Sequence, residues 1–156
     1  MIVAFIGAEN FQHSVPIDVK MRDVMKKLVV DDGADVFWFA GDGAFDNYCW
    51  SFVNQLKMRH PNIKRVLFQT GYEDNHEELP TLGLFYDKII SLQSFCQDKT
   101  LSPYARKRFM IGMCDVLVTY FDTLNLKTPR ISITEEAIKF AKRYKKRIIN
   151  LVVSRF

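Results

Sequence analysis

The strongest constraint on the fold is a set of short, uninterrupted apolar runs. VFWFA, from Val36 to Ala40, and VLVTY, from Val116 to Tyr120, lack the apolar–polar alternation of a strand with one wet face. Such runs fit strands covered on both sides, as in a parallel sheet sandwiched by helices. Four further segments rich in β-formers, Ile2–Ile6, Arg65–Phe68, Lys88–Ile90 and Ile148–Val152, recur between helical patterns.

Between the first two strands, Ile17, Met21, Val24, Met25 and Leu28 repeat at helical spacing, and Asp32-Gly33 supplies a stop. Phe45, Tyr48, Cys49, Phe52 and Leu56 form a second stripe, and Ile133, Ala137, Phe140, Ala141 and Tyr144 a third. Each stripe reads as a core-facing side of a crossover helix. The expected architecture is α/β: a doubly wound, mainly parallel Rossmann-like sheet of about six strands with helices on both faces. Right-handed crossovers then bring the strand-to-helix turns to one edge of the sheet, where ligands of such folds bind. Gly71 to Leu84 and Asp122 to Ile131 read as the longest loops.

With 156 residues, 48% apolar and 26% charged, the chain has the size and composition of one globular domain spanning residues 1–156. No apolar run reaches the roughly 18 residues of a spanning helix, and the start of the chain lacks a leader pattern, so a cytoplasmic protein without membrane contact is expected. Cys49, Cys96 and Cys114 are too widely spaced for a redox or zinc motif and read as buried free thiols. His13, His60 and His76 are dispersed, so no metal site is expected.

The net charge of +4 conceals an asymmetry: from Lys99 onward 13 Lys or Arg face 4 Asp or Glu. Several of these, Lys139, Lys142, Arg143, Lys145 and Lys146, fall on one helix and read as its solvated face. No interleaving of aromatic and basic residues accompanies them, so tight nucleic-acid binding is not expected.

Three strand-to-helix turns carry candidate chemistry. Gly7-Ala8-Glu9 follows the first strand, where glycine permits a tight turn or a close ligand approach. Gly41-Asp42-Gly43, continuing to Asp46, opens the second helix; it offers backbone amides to a phosphate, or simply shapes a turn that Asp42 caps. Ser132-Ile133-Thr134 opens the last helix, and Ser132 followed by Glu135 also has the form of a capping box. Arg106, in Ala105-Arg106-Lys107, is suited to bidentate phosphate recognition. Asp115, just before VLVTY, reads as a hydrogen-bonding residue at the start of a strand.

In order along the chain, IVAFIG, Gly43-Ala44-Phe45-Asp46, LSPYARKRFMIGMCDVLVTYF and AIKFAKRYKKRIINLV resemble the SLOG superfamily, named after the Smf/DprA and LOG proteins. The resemblance covers nearly the whole chain. Members commonly carry Gly-His-Arg after strand one and Glu-Arg-Asn in the fourth helix; here stand Gly7-Ala8-Glu9 and Ala105-Arg106-Lys107. The glycine-rich Ser/Gly-Gly-Thr appears as Ser132-Ile133-Thr134.

The resemblance implies a nucleotide or nucleotide-derived ligand, such as an ADP-ribose-like or cyclic nucleotide signal. The implied site comprises Gly7, Ala8, Glu9, Gly41, Asp42, Gly43, Asp46, Arg106, Ser132, Ile133 and Thr134. LOG-like enzymes release the base from nucleoside monophosphates with a Glu, but aligning their motif on Thr134 puts Ala137 at that position. A non-catalytic sensor or sequestering protein without a cofactor is the favoured expectation. A phosphoribohydrolase using Glu135 or Glu136 is the first alternative, and DprA-like DNA binding the second. Homodimerisation is implied by the resemblance alone.

Overall fold

The computed structural model describes residues 1–8, 10–41, 43–69, 85–92, 103–122 and 132–153. Their elements are β1 (Ile2–Gly7), α1 (Val15–Lys26), β2 (Val36–Phe39), α2 (Gly43–Arg59), β3 (Lys64–Gln69), β4 (Lys88–Ser91), α3 (Pro103–Met113), β5 (Val116–Tyr120), α4 (Ile133–Arg143) and β6 (Arg147–Asn150). A wider, π-type turn at Lys27–Asp31 continues α1, and Gly33, in the left-handed region, follows its end. The expected loop from Gly71 to Leu84, and the second one beyond Asp122, lie outside the described residues, as do Cys96 and His76.

All six strands are parallel, in the order β4-β3-β2-β1-β5-β6. β1 is central and buried on both sides. Val3 and Phe5 point to the layer holding Ile17, Met21, Met25 and Leu28 of the first helical segment and Phe45, Cys49 and Val53 of α2. Ala4 packs with Met110 and Cys114, and Ile6 with Ile111, Ala137 and Ala141. The doubly wound architecture expected from the apolar runs is therefore present, with α1 and α2 on one face and α3 and α4 on the other. Burying each large apolar side chain on these faces contributes roughly 1.5–3 kcal/mol.

The helix stripes need three corrections. Ile133 and Tyr144, read as core, are 38% and 53% exposed, because they sit at the two ends of α4, beyond the part that packs on the sheet. Val53, outside the expected stripe, is fully buried. Most strand ends differ from the expected bounds by one or two residues, and two have a clear local reason. β2 stops before Ala40, whose N–H is taken by the Asp46 carboxylate. β6 runs from Arg147 to Asn150, where the Asn150 side chain bonds both the N–H and the carbonyl of Phe121 and ends the regular ladder. Asp115 does anchor its strand, its carboxylate accepting the Ile2 N–H at 2.7 Å. Among the described residues, no helix is long and apolar enough to cross a membrane.

The outer strand is tied down by charge. Asp87 accepts from the Arg65 backbone N–H at 2.8 Å and from Arg65 Nε at 3.1 Å, and pairs with Lys57 Nζ at 3.3 Å. Arg65 also donates to Asn54 on α2. Burial pushes the Asp87 carboxyl up, but the bonds and charge of Arg65, with Lys57, outweigh it and hold the group below its usual range. A depressed folded-state value gives stability that is present above the unfolded value and lost as pH falls through the folded one. Asp87→Ala should therefore cost about 0.5–1.5 kcal/mol near neutrality, the pairing being partly screened by solvent. In urea titrations the gap between parent and variant should narrow below roughly pH 4; a gap independent of pH would show that the pairing contributes nothing.

Candidate functional site

The chain leaves β1 toward β2 and leaves β5 toward β6, so the connections diverge between β1 and β5. In open α/β sheets this divergence, at the C-terminal ends of the strands, is where ligands bind. Here the two strands stay joined at that end: Ala8 donates its N–H to the Tyr120 carbonyl at 3.3 Å, and the Phe11 and Tyr120 rings meet edge-on.

Beside this junction lies a pocket of about 240 Å³, lined by Phe5, Ile6, Gly7 and Ala8 of β1 and its turn, Gly43, Phe45 and Asp46 of α2, and Lys107 of α3. It spans the sheet edge from one helical layer to the other. Gly7 is required by packing: a Cβ there would stand 2.3 Å from the Phe45 ring. The missing side chain lets the start of α2 close onto β1.

The β2–α2 turn is built on glycine and one carboxylate. Gly41 and Gly43 have φ of 77° and 85°, a region that L side chains rarely adopt. Asp46 is buried and accepts the N–H groups of Ala40 and Gly41 at 3.3 and 2.8 Å. Asp42, read as a possible cap of this helix, lies outside the described residues; Asp46 ties the strand side of the turn to the first turn of α2. Its charge is felt nearby: burial first, and Asp46 second, push the Cys49 thiol well up and the Tyr86 phenol to about 12. Burial likewise pushes Cys114 to about 11. Cys49 and Cys114 are free, buried thiols, as expected.

Of the residues implied by sequence, Gly7, Ala8, Gly43 and Asp46 line the pocket. Gly41 shapes the turn behind it, and Glu9 and Asp42 lie outside the described residues. Arg106 is 2% exposed and is not in the lining; its neighbour Lys107, 8% exposed, is. Lys107 was legible in principle. With Met110, Ile111 and Cys114 it forms an i, i+3, i+4, i+7 series, which places it on the inward side of α3.

Ser132, Ile133 and Thr134 are not in the lining either. Ser132 caps α4, its Oγ accepting the Glu135 N–H at 3.0 Å, so the capping alternative describes the hydroxyl. Thr134 is buried and Ile133 exposed. Glu136 sits partly exposed in the first turn of α4. Among the described residues no group of three or more His, Cys, Asp or Glu side chains could hold a metal ion.

No protein-family model matches the sequence, and no curated protein matches it. Among solved structures the fold is similar to DNA processing protein A (DprA) from Streptococcus pneumoniae, with a TM-score of 0.61 and 13% sequence identity. The match covers 99% of this chain and 51% of that one, so this chain spans about half its length. At that identity the likeness is one of fold alone.

The turn is testable without a ligand. Asp46→Ala strips the buried Ala40 N–H of its acceptor and should destabilise the protein by about 1–3 kcal/mol. Gly7→Ala forces the Phe45 ring aside and should cost a similar 1–3 kcal/mol. Denaturant melts of both variants check this; wild-type stability in Gly7→Ala would mean that α2 does not depend on the close approach.

Proposed function

We propose that the C-terminal edge of the sheet binds a nucleotide or nucleotide-derived small molecule, and that the protein senses or sequesters it without converting it. The observation that carries this reading is Lys107. A cation almost withdrawn from water lines a pocket whose opposite wall is the start of α2. A helix N-terminus carries partial positive charge and outward amides, which favour an anion, and the Asp46 carboxylate in the same lining is turned to the Ala40 and Gly41 amides. Gly43 has nothing within 4 Å of where its Cβ would be, so the backbone there is open to close approach.

At about 240 Å³ the pocket falls below the roughly 300–1,000 Å³ of sites that enclose a whole drug-sized ligand. It suits a phosphate with part of its sugar. Base release would need an acid or base beside the sugar; neither Glu135 nor Glu136 lines the pocket, and Asp46, which does, is engaged by the Ala40 and Gly41 amides. That placement favours binding over the phosphoribohydrolase alternative.

A thermal-shift panel of nucleoside mono- and diphosphates, cyclic nucleotides and ADP-ribose tests the reading. A ligand at 100 times its Kd should add about 2.7 kcal/mol, raising Tm by roughly 5–10 °C for a domain of this size. Lys107→Met, which keeps the aliphatic stem, should abolish most of that rise. A panel that leaves the parent's melting curve unmoved sinks the reading. Base release from nucleoside monophosphates, lost in Glu136→Ala, would replace it with the hydrolase, and tight DNA binding at physiological salt with the DprA-like alternative.

A further inference from the structure

A second depression, of about 630 Å³, lies outside the pocket on the other side of α2's first turns. Phe11, Gln12 and His13 of the β1–α1 loop form one wall, and Asn47, Tyr48 and Ser51 of α2 the other. The Phe11 and Phe45 rings, meeting edge-on with centroids 5.2 Å apart, stand between the two cavities, Phe45 lining the pocket and Phe11 the groove.

His13 is unusual in being both exposed and held. Its side chain is 69% exposed, yet its ring stacks on Tyr48 at 6.0 Å with an interplanar angle of 23°, and Nδ1 lies 3.3 Å from Asp18 Oδ2. The other oxygen of Asp18 accepts the Tyr48 hydroxyl at 2.7 Å. One carboxylate therefore fixes both rings. With Nδ1 turned to a carboxylate, neutral imidazole keeps its proton there and leaves Nε2 as an acceptor. Around it stand the amides of Gln12 and Asn47, each with donors and an acceptor, and the Ser51 hydroxyl, which spends its hydrogen on the Asn47 carbonyl.

A preset aromatic surface rimmed by amide groups matches the face and the edge of a nucleobase. We propose that this groove is the base-binding half of the ligand site: the base rests on the His13 side of the groove, its edge meets Gln12 and Asn47, and the phosphate reaches the Lys107 pocket past Phe11 and Phe45. The inference rests on the reading of the sheet edge as a phosphate site, and it names the part of the ligand that the small pocket leaves outside.

Calorimetric titration of the full chain with AMP, GMP, CMP and UMP, against adenosine and ribose 5-phosphate, separates the two. The best-bound nucleotide should bind at least fivefold more tightly than ribose 5-phosphate. His13→Ala and Asn47→Ala, both at exposed positions, should remove that advantage and leave ribose 5-phosphate affinity unchanged. If ribose 5-phosphate and the nucleotides bind equally and neither variant matters, the groove is overturned while the phosphate reading stands. If adenosine binds, is lost in His13→Ala and is indifferent to Lys107→Met, while no phosphate adds affinity, the groove is supported and the phosphate reading falls. No binding of any of these probes overturns both.

Discussion

The contact between Gly7 and Phe45 organises this molecule. β1 is the central strand, enclosed by helices on both sides, and it ends in a residue that has no side chain. Into that vacancy goes an aromatic ring from the first turn of α2, closer than any Cβ would permit. The same ring meets Phe11, whose edge in turn meets Tyr120 at the end of β5. A chain of aromatic contacts thus runs across the C-terminal edge from α2 to the neighbouring strand. Because packed interiors tolerate little change in volume, the position of the α2 N-terminus is set by this contact.

The charges of the edge follow from that placement. Asp46 comes to lie one turn inside α2, where the helix dipole favours a negative group, and its oxygens are directed to the amides of Ala40 and Gly41. It reads best as a structural carboxylate that holds the glycine turn open. Lys107 arrives from the opposite layer, carried on an α3 face otherwise made of Met110, Ile111 and Cys114. The turn is thus anchored by its own carboxylate, whereas the cation comes from a separate helix.

Similarity to a DNA-processing protein at 13% identity reports a shared way of winding a parallel sheet. Folds of this kind serve many unrelated functions, which reside in the side chains at the strand ends. Here the sequence departs from the pattern it resembles at three places: Ala8-Glu9 after β1, Ala105 and Lys107 beside Arg106, and Ile133 between Ser132 and Thr134.

The architecture was legible in the sequence because its cause is local and repeated. Apolar runs such as VFWFA and VLVTY exclude a wet face, and helical stripes between them dictate crossovers, so a parallel sheet covered on both sides follows from pattern alone. The Ser132 cap was legible for the same reason, since its donor lies three residues away. The site was legible only in part. Gly7, Ala8, Gly43 and Asp46 lie at or soon after strand ends and line the pocket; Gly7's close approach, however, proved to be to Phe45, 38 positions on, which no turn motif encodes. Arg106 was favoured over Lys107 for its guanidinium and by the resemblance, and a rotation of about 100° between adjacent helix residues separates a side chain in the lining from one outside it. The groove of Phe11, His13 and Tyr48 belongs wholly to the tertiary structure. It joins a loop before one helix to the flank of another, and only packing on a common sheet brings them together.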